Sequence, residues 1–242
     1  MDEIKVGFIG AGGIARAHAF ALTALKYYYD DAPPVSLKAV TSSREESRHA
    51  FAFKYGFEKA LSLEEFLESD EINTVFILGP NHVHFSHLEA ALSMRNIKRI
   101  YLEKPICSTR EEEQKIQVLT EKVSSDIDVR IGFQLLASSA VRKALDLWYS
   151  GNLGKPVHFR FDYMHRDYLD QAYREKRRTR LTPAPDGGAM ADLGSHAISM
   201  MIAFLGDRVD ILHAMQGGNF DDVPGDSDLY SEISLLEKES AA

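Results

Sequence analysis

Apolar and polar positions along this chain fall into blocks whose period switches repeatedly between that of a strand and that of a helix. Ile4-Lys5-Val6-Gly7-Phe8-Ile9 predicts a buried strand, and the alanine-rich stretch from Ile14 onward predicts a helix. Val35 to Val40, introduced by Pro33-Pro34, predicts a second strand, followed by helical spacing from Arg44 to Tyr55. Ser62-Leu63-Glu64-Glu65 has the form of a capping box, in which a serine and the glutamate after it satisfy each other's backbone N–H groups. Thr74 to Leu78 reads as a continuous buried strand ended by Gly79-Pro80, with a helix from His82 to Arg95. Arg99 to Leu102 predicts a strand stopped by Glu103-Lys104-Pro105. Ser108 and Thr109 ahead of Glu111 and Glu112 start a charged helix, and Val129 to Phe133 ends the first sheet. Alternating strands and helices need crossover connections, so the fold class is α/β, a doubly wound parallel sheet covered on both faces.

From Gly132 onward the pattern thins. Helices are expected near Val141 to Ser150 and Asp192 to Leu205, and strands near Val157 to Tyr163, Val209 to Met215 and Leu229 to Leu236. The division predicted is a first domain over residues 1–131 and a second, smaller α/β domain with an open sheet over 132–242.

Four stretches carry candidate chemistry. The first strand runs straight into Gly10-Ala11-Gly12-Gly13-Ile14-Ala15 and then a helix. Such a turn lets backbone approach a pyrophosphate: Gly10 for the tight turn, Gly12 for access, and small Ala15 for close helix packing, with the helix N-terminus supplying positive potential. An ordinary glycine-rich connection is the alternative. After the second strand, NAD-selective folds place an acid for the ribose 2'-hydroxyl, but here the chain reads Thr41-Ser42-Ser43-Arg44. Ser42, Ser43 and Arg44 suit a 2'-phosphate, which favours NADP while leaving NAD open; a helix cap and a solvated arginine account for them equally simply. Lys104 follows a strand end, where open sheets bind ligands, and Pro105 takes it out of helical geometry, with a cis bond as one outcome. Its ammonium can stabilise alkoxide charge there, or simply face water. Finally, Asp192 and His196 lie four residues apart at the start of an apolar helix, on one face, where a carboxylate can steady an imidazole that moves a proton. A capping carboxylate and a satisfied histidine fit the same spacing.

Composition narrows the class. In 242 residues, 45% hydrophobic and 26% charged is the balance of a soluble α/β enzyme, and no apolar run is long enough to span a membrane. The N-terminus enters the first strand with no basic and apolar leader, so export is not expected. The single cysteine, Cys107, forms no internal disulfide, which suits a reducing cytoplasm. A net charge of -8 argues against general nucleic-acid binding. Arg174, Lys176, Arg177, Arg178 and Arg180 form a local basic run, either a solvated loop or an anion contact. No metal site is expected, because the cysteine and histidines lack ligand spacing and His82 and His84 do not share a helix face.

The glycine turn, Pro80-Asn81-His82-x-His84 after a buried strand, Glu103-Lys104-Pro105, and Gly187-Gly188-Ala189-x-x-Asp192-x-Gly194-x-His196 occur in one order. In that order the chain resembles the Gfo/Idh/MocA oxidoreductases over nearly its whole length. The resemblance implies an N-terminal Rossmann domain, a C-terminal α/β domain on an open sheet, and oxidation or reduction of sugars, polyols and related compounds with NAD(P). It implies Lys104, Asp192 and His196 as the catalytic trio, with Gly10, Gly12, Gly13, Ile14, Ala15, Ser42, Ser43, Arg44, Pro80, Asn81, His84, Glu103 and Lys104 toward the cofactor. His196 then takes the substrate proton, Asp192 orients it, and Lys104 steadies the oxygen.

Two departures stand out. Gln134-Leu135-Leu136 replaces the family's usual Asn and basic residue after the sixth strand. The chain also stops after one strand-like stretch from Asp228 to Glu237 and a polar tail, where family members continue, so the second domain reads as shortened. Its uncovered sheet face is expected to meet a second copy of the chain, giving a homodimer. A dinucleotide sensor without turnover and an NAD-dependent glycosidase are the rival readings. The loop from Met164 to Asp186, rich in Tyr, Arg and Asp, suits a polar hydroxylated ligand or a solvated lid.

Overall fold

Val6 and Phe8 of the first strand point to one face of a parallel sheet and Ile9 to the other, and both faces are covered. In the computed structural model of the chain, the residues described are 3–164, 166–176, 188–218, 222 and 228–238, and the chain divides into two units, Met1–Gly132 and Phe133–Ala242.

In the first unit, strands β1 (Ile4–Ile9), β2 (Val35–Thr41), β3 (Lys59–Leu61), β4 (Thr74–Ile77), β5 (Arg99–Leu102) and β6 (Asp128–Ile131) lie in the order β3-β2-β1-β4-β5-β6, every pair parallel. Helices α1 (Gly13–Tyr28) and α2 (Glu45–Tyr55) pack Ala15, Ala19, Phe51 and Ala52 against Val6, Phe8 and Val40. On the other face α3 (Leu63–Leu67) and α4 (His84–Leu92) bring Phe66, Leu88 and Ala91 against Ile9, Val75, Ile77 and Ile100. Helix α5 (Arg110–Lys122) precedes β6. Phe8, Phe66 and Ile77 are fully buried, and truncating such a side chain to alanine costs roughly 2–5 kcal/mol, so these residues fix the sheet. The expected capping box of Ser62 with Glu65 is present, and Thr109, in the stretch expected to start a helix, forms a second with Glu112. The strand order reverses between β1 and β4, which puts a ligand crevice outside their carboxyl ends.

The second unit holds α6 (Ser139–Tyr149), α7 (Gln171–Lys176), a π-helical turn (Met190–Gly194) running into α8 (Ser195–Leu205), and the antiparallel pair β7 (Val209–Gly217) and β8 (Tyr230–Glu237). Trp148 of α6 meets Phe204 of α8 edge-on at 5.3 Å, and Phe159 lies tilted against the Phe204 ring at 5.4 Å. The β7–β8 pair leaves Ile211, Leu212, Met215 and Leu236 exposed. No strand forms over Val157 to Tyr163, contrary to the alternation there. Phe159 is held by helix side chains instead, Val157 is exposed, and among the described residues no strand lies alongside to supply a ladder. Short β3 and α7 were not expected, because three and six residues carry too little periodicity to read. No helix among the described residues is long and apolar enough to cross a membrane.

Candidate active site

At the carboxyl end of β1 the backbone is packed as tightly as the sequence demands. The Gly10 N–H donates to the Thr41 carbonyl at 2.8 Å, and Gly10 adopts φ 121°, where a Cβ would lie 2.7 Å from the Leu78 carbonyl carbon. Beyond it, the space a Cβ would take at Gly12 is open, Gly13 and Ile14 are exposed, and Ala15 is fully buried against the sheet. Helix α1 starts after Gly12 with no side-chain cap and no acid in its first turn. Free backbone N–H groups, the positive end of a helix dipole and open space are what a pyrophosphate needs, so these residues fit a dinucleotide.

After β2, Thr41 is buried, Ser42 donates to the Arg44 carbonyl at 3.1 Å, and Ser43 and Arg44 are exposed. Helix α2 takes Arg44 as its N-cap with no side-chain bond, so neither serine caps it. The first carboxylates come later, at Glu45 and Glu46 in the first turn of α2.

The turn after β5 carries Lys104, with a cis Lys104–Pro105 bond. Glu103 accepts from His18 of α1 at 2.9 Å and from the Tyr101 hydroxyl at 3.2 Å. Burial, and then the Glu103 carboxylate, push the Tyr101 phenol well above its ordinary value, so it stays a donor. His84, expected beside the cofactor, has a ring fully buried in α4, with Nδ1 2.6 Å from the Pro105 carbonyl and Nε2 3.0 Å from the Gly79 carbonyl. Pro80 is exposed, and Asn81, half-buried, opens a short 3₁₀ turn, Asn81–Val83.

In the second unit Asp192 lies within the π-helical turn, and His196 in the first turn of α8 is 3% exposed. Single π turns inside helices recur at functional sites, because the extra residue re-aims side chains. The Tyr168 hydroxyl donates to Asp192 Oδ2 at 2.7 Å, and the Tyr168 carbonyl accepts from Arg174 at 2.8 Å. The rings of Tyr163 and Phe133 lie 5.6 and 6.2 Å from that of His196. The turn is tied to the start of β8 by Asp228, whose carbonyl accepts from Ala189 at 2.8 Å and whose carboxylate accepts from Met190 at 2.7 Å. Gly188 sits at φ 92° and a Cβ there would run into that carboxylate.

Tyr168, Asp228, His18 and Tyr101 escaped sequence reasoning, since each acts on a residue far along the chain or through a bond that spacing does not encode. Arg174, read from the sequence as part of either a solvated loop or an anion contact, is buried in a two-bond pair with Asp222, at 2.8 and 3.1 Å. Arg177, Arg178, Arg180 and Gly187 lie outside the described residues.

Two family models match in series: an oxidoreductase family with an NAD-binding Rossmann fold over residues 4–130, and the Gfo/Idh/MocA C-terminal domain over residues 141–235. The chain belongs to the Gfo/Idh/MocA oxidoreductase family. It is 27% identical over 209 residues to levoglucosan dehydrogenase of Pseudarthrobacter phenanthrenivorans, covering 86% of this chain and 52% of that one. To glucose-6-phosphate 3-dehydrogenase of Bacillus subtilis it is 26% identical over 200 residues, covering 81% and 52%. A levoglucosan dehydrogenase solved with NADH and levoglucosan shares the fold at a TM-score of 0.80 and 24% identity, over 94% of this chain and 59% of that one. The chain thus spans about half the length of the relatives it matches.

Proposed function

We propose that this Gfo/Idh/MocA chain is an oxidoreductase that moves hydride between a nicotinamide dinucleotide and a sugar, polyol or related hydroxyl or carbonyl compound. One observation carries the reading: an uncapped helix N-terminus, a glycine turn closed on the β4 end and open at Gly12, all at the point where the strand order reverses. The dinucleotide, held by Gly10, Gly12, Gly13, Ile14 and Ala15 with Pro80 and Asn81, supplies a ring that accepts or returns hydride. His196 takes the proton of the substrate hydroxyl, or returns it in the reducing direction. Asp192 steadies the imidazolium that results. Lys104 donates to the substrate oxygen and stabilises its partial negative charge.

Ser42, Ser43 and Arg44, with no carboxylate among residues 41–44, favour the 2'-phosphate of NADP, and the relative solved with NADH keeps NAD as the alternative. The substrate class follows the named relatives, a levoglucosan dehydrogenase and a glucose-6-phosphate 3-dehydrogenase. The apolar residues exposed on β7 and β8 fit burial against a second copy of the chain, which light scattering tests, and the half-buried lone Cys107 suits a reducing cytoplasm.

The test needs no substrate. NADPH and NADH are titrated separately into the folded chain and followed by fluorescence. Tighter binding of NADPH is the expected result. Binding of neither by a folded sample overturns the reading, and tighter NADH binding overturns the role given to Arg44 alone.

A further inference from the structure

Lys104 sits in a turn that side chains hold on both sides along the chain. Ahead of it, the Glu103 carboxylate accepts from His18 and Tyr101. Behind it, the Pro105 carbonyl faces His84 Nδ1 at 2.6 Å. Two lone pairs at that separation would repel, so Nδ1 carries a proton and donates. His84 is 0% exposed and its other nitrogen faces the Gly79 carbonyl at 3.0 Å. A ring that only filled space there would incur the desolvation of two nitrogens for nothing, where an apolar side chain would not. The far ends of these contacts matter as much. His18 belongs to α1, the helix that opens at the glycine turn, and Gly10 lies against the backbone of Leu78 and Gly79. Both braces therefore run from the elements that receive a dinucleotide to the turn that carries Lys104.

We propose that His84 is a positioning residue for Lys104, acting through the Pro105 carbonyl, with His18 and Glu103 as a second brace. The proposal rests on the reading of Lys104 as the group that meets the substrate oxygen. It assigns His84 no contact with substrate or cofactor. The Nδ1 N–H bond places the lysine, while Nε2, which has no hydrogen to give in the neutral ring, only packs beside the Gly79 carbonyl at the β4 end. Asparagine presents its amide N–H near the place of Nδ1, and glutamine presents its own near the place of Nε2, so the two positions can be separated.

The experiment compares His84→Asn with His84→Gln in the full chain. Lysines are reductively methylated with 13C-formaldehyde, and the Lys104 methyl signal is identified by its loss in Lys104→Arg. In His84→Asn the signal is expected at its original position; in His84→Gln it moves toward that of a solvent-exposed lysine. NADPH affinity stays within about threefold of the unsubstituted chain in both. With a sugar or polyol that supports turnover, His84→Gln lowers kcat about tenfold at unchanged KM for NADPH, and His84→Asn does not.

An unmoved signal in both variants, equal movement in both, or movement in His84→Asn alone overturns the proposal. If neither variant folds, His18→Phe decides, since a phenyl ring keeps the contacts His18 makes with Phe76 and Tyr101 while losing Glu103. A displaced Lys104 signal supports the braced turn, and an undisplaced one overturns it. The signals are read without cofactor, so a chain that binds no NADPH would sink the functional reading and leave this comparison standing.

Discussion

The Met1–Gly132 unit sets its glycine turn and Lys104 at the ends of parallel strands flanked by two buried clusters. The Phe133–Ala242 unit sets Asp192 on a π-helical turn and His196 in the α-helical turn that follows, tied to the start of β8 in a strand pair with exposed apolar residues. In the first unit position is enforced by close backbone, as where Gly10 meets Leu78. In the second, among the described residues, side-chain bonds from Tyr168 to Asp192 and from Met190 to Asp228 tie the turn. Regions with fewer buried apolar contacts open at lower free energy, so single substitutions reach further into the second unit than into the first.

The sharpest division comes from chemistry. His196→Ala removes the proton carrier and is expected to lower turnover about a hundred- to ten-thousandfold, while NADPH affinity, which belongs to the first unit, stays unchanged. Steady-state rates beside a fluorescence titration check this. Turnover within a few-fold of the original would remove His196 from its role.

Next in size is a matched pair of glycines. Gly10→Ala and Gly188→Ala each force a Cβ into positive φ and into a close neighbour, Leu78 backbone in one case and the Asp228 carboxylate in the other. Strain of that kind costs on the order of 1–3 kcal/mol before the clash is counted. Gly10→Ala meets backbone that cannot move and is expected to abolish NADPH binding. Gly188→Ala meets a side chain that can, and is expected to lower turnover and the stability of the second unit with binding intact. Equal losses of binding would erase the contrast between the units.

Tyr168→Phe is milder. It keeps the buried ring and removes the donor to Asp192, with an expected loss of about tenfold in kcat and about 1 kcal/mol in stability. Unchanged kcat would mean that Asp192 is oriented by other groups.

This contrast also explains what was legible beforehand. The Gly10–Ala15 turn, the strand before Lys104, the Ser62 capping box and the helix start at Thr109 declare themselves because their causes lie within a few residues of one another. Asp228 acts 38 residues from Met190, Tyr168 acts 24 from Asp192, and His18 acts 85 from Glu103, so no local pattern marks them. The motif that carries His84 was visible, but motif position does not tell that its ring is enclosed, with its nitrogens facing the Pro105 and Gly79 carbonyls. The strand expected from Val157 to Tyr163 failed because alternation records burial, and helices can bury Phe159 as well as a sheet can.

The smallest expected effect places acid sensitivity in the first unit. Burial, and then the neighbouring charges of His84 and His82, hold His87 below the ordinary histidine value of 6.5, and its Nδ1 is buried without a hydrogen-bond partner. Well above 6.5 the ring is neutral whether the chain is folded or not, and stability is unaffected. As pH falls through 6.5, the unfolded chain takes up this proton first, so folding loses stability until the folded ring also protonates. His87→Leu removes the site. Urea midpoints at about pH 7.5 and 5.5 should therefore lie closer together in His87→Leu than in the unsubstituted chain. Because His87 packs beside Gly79 at the β4 end, the same substitution should also flatten the acid limb of NADPH binding and leave Asp192 and His196 untouched. An unaltered gap between the two midpoints would move the acid sensitivity away from His87.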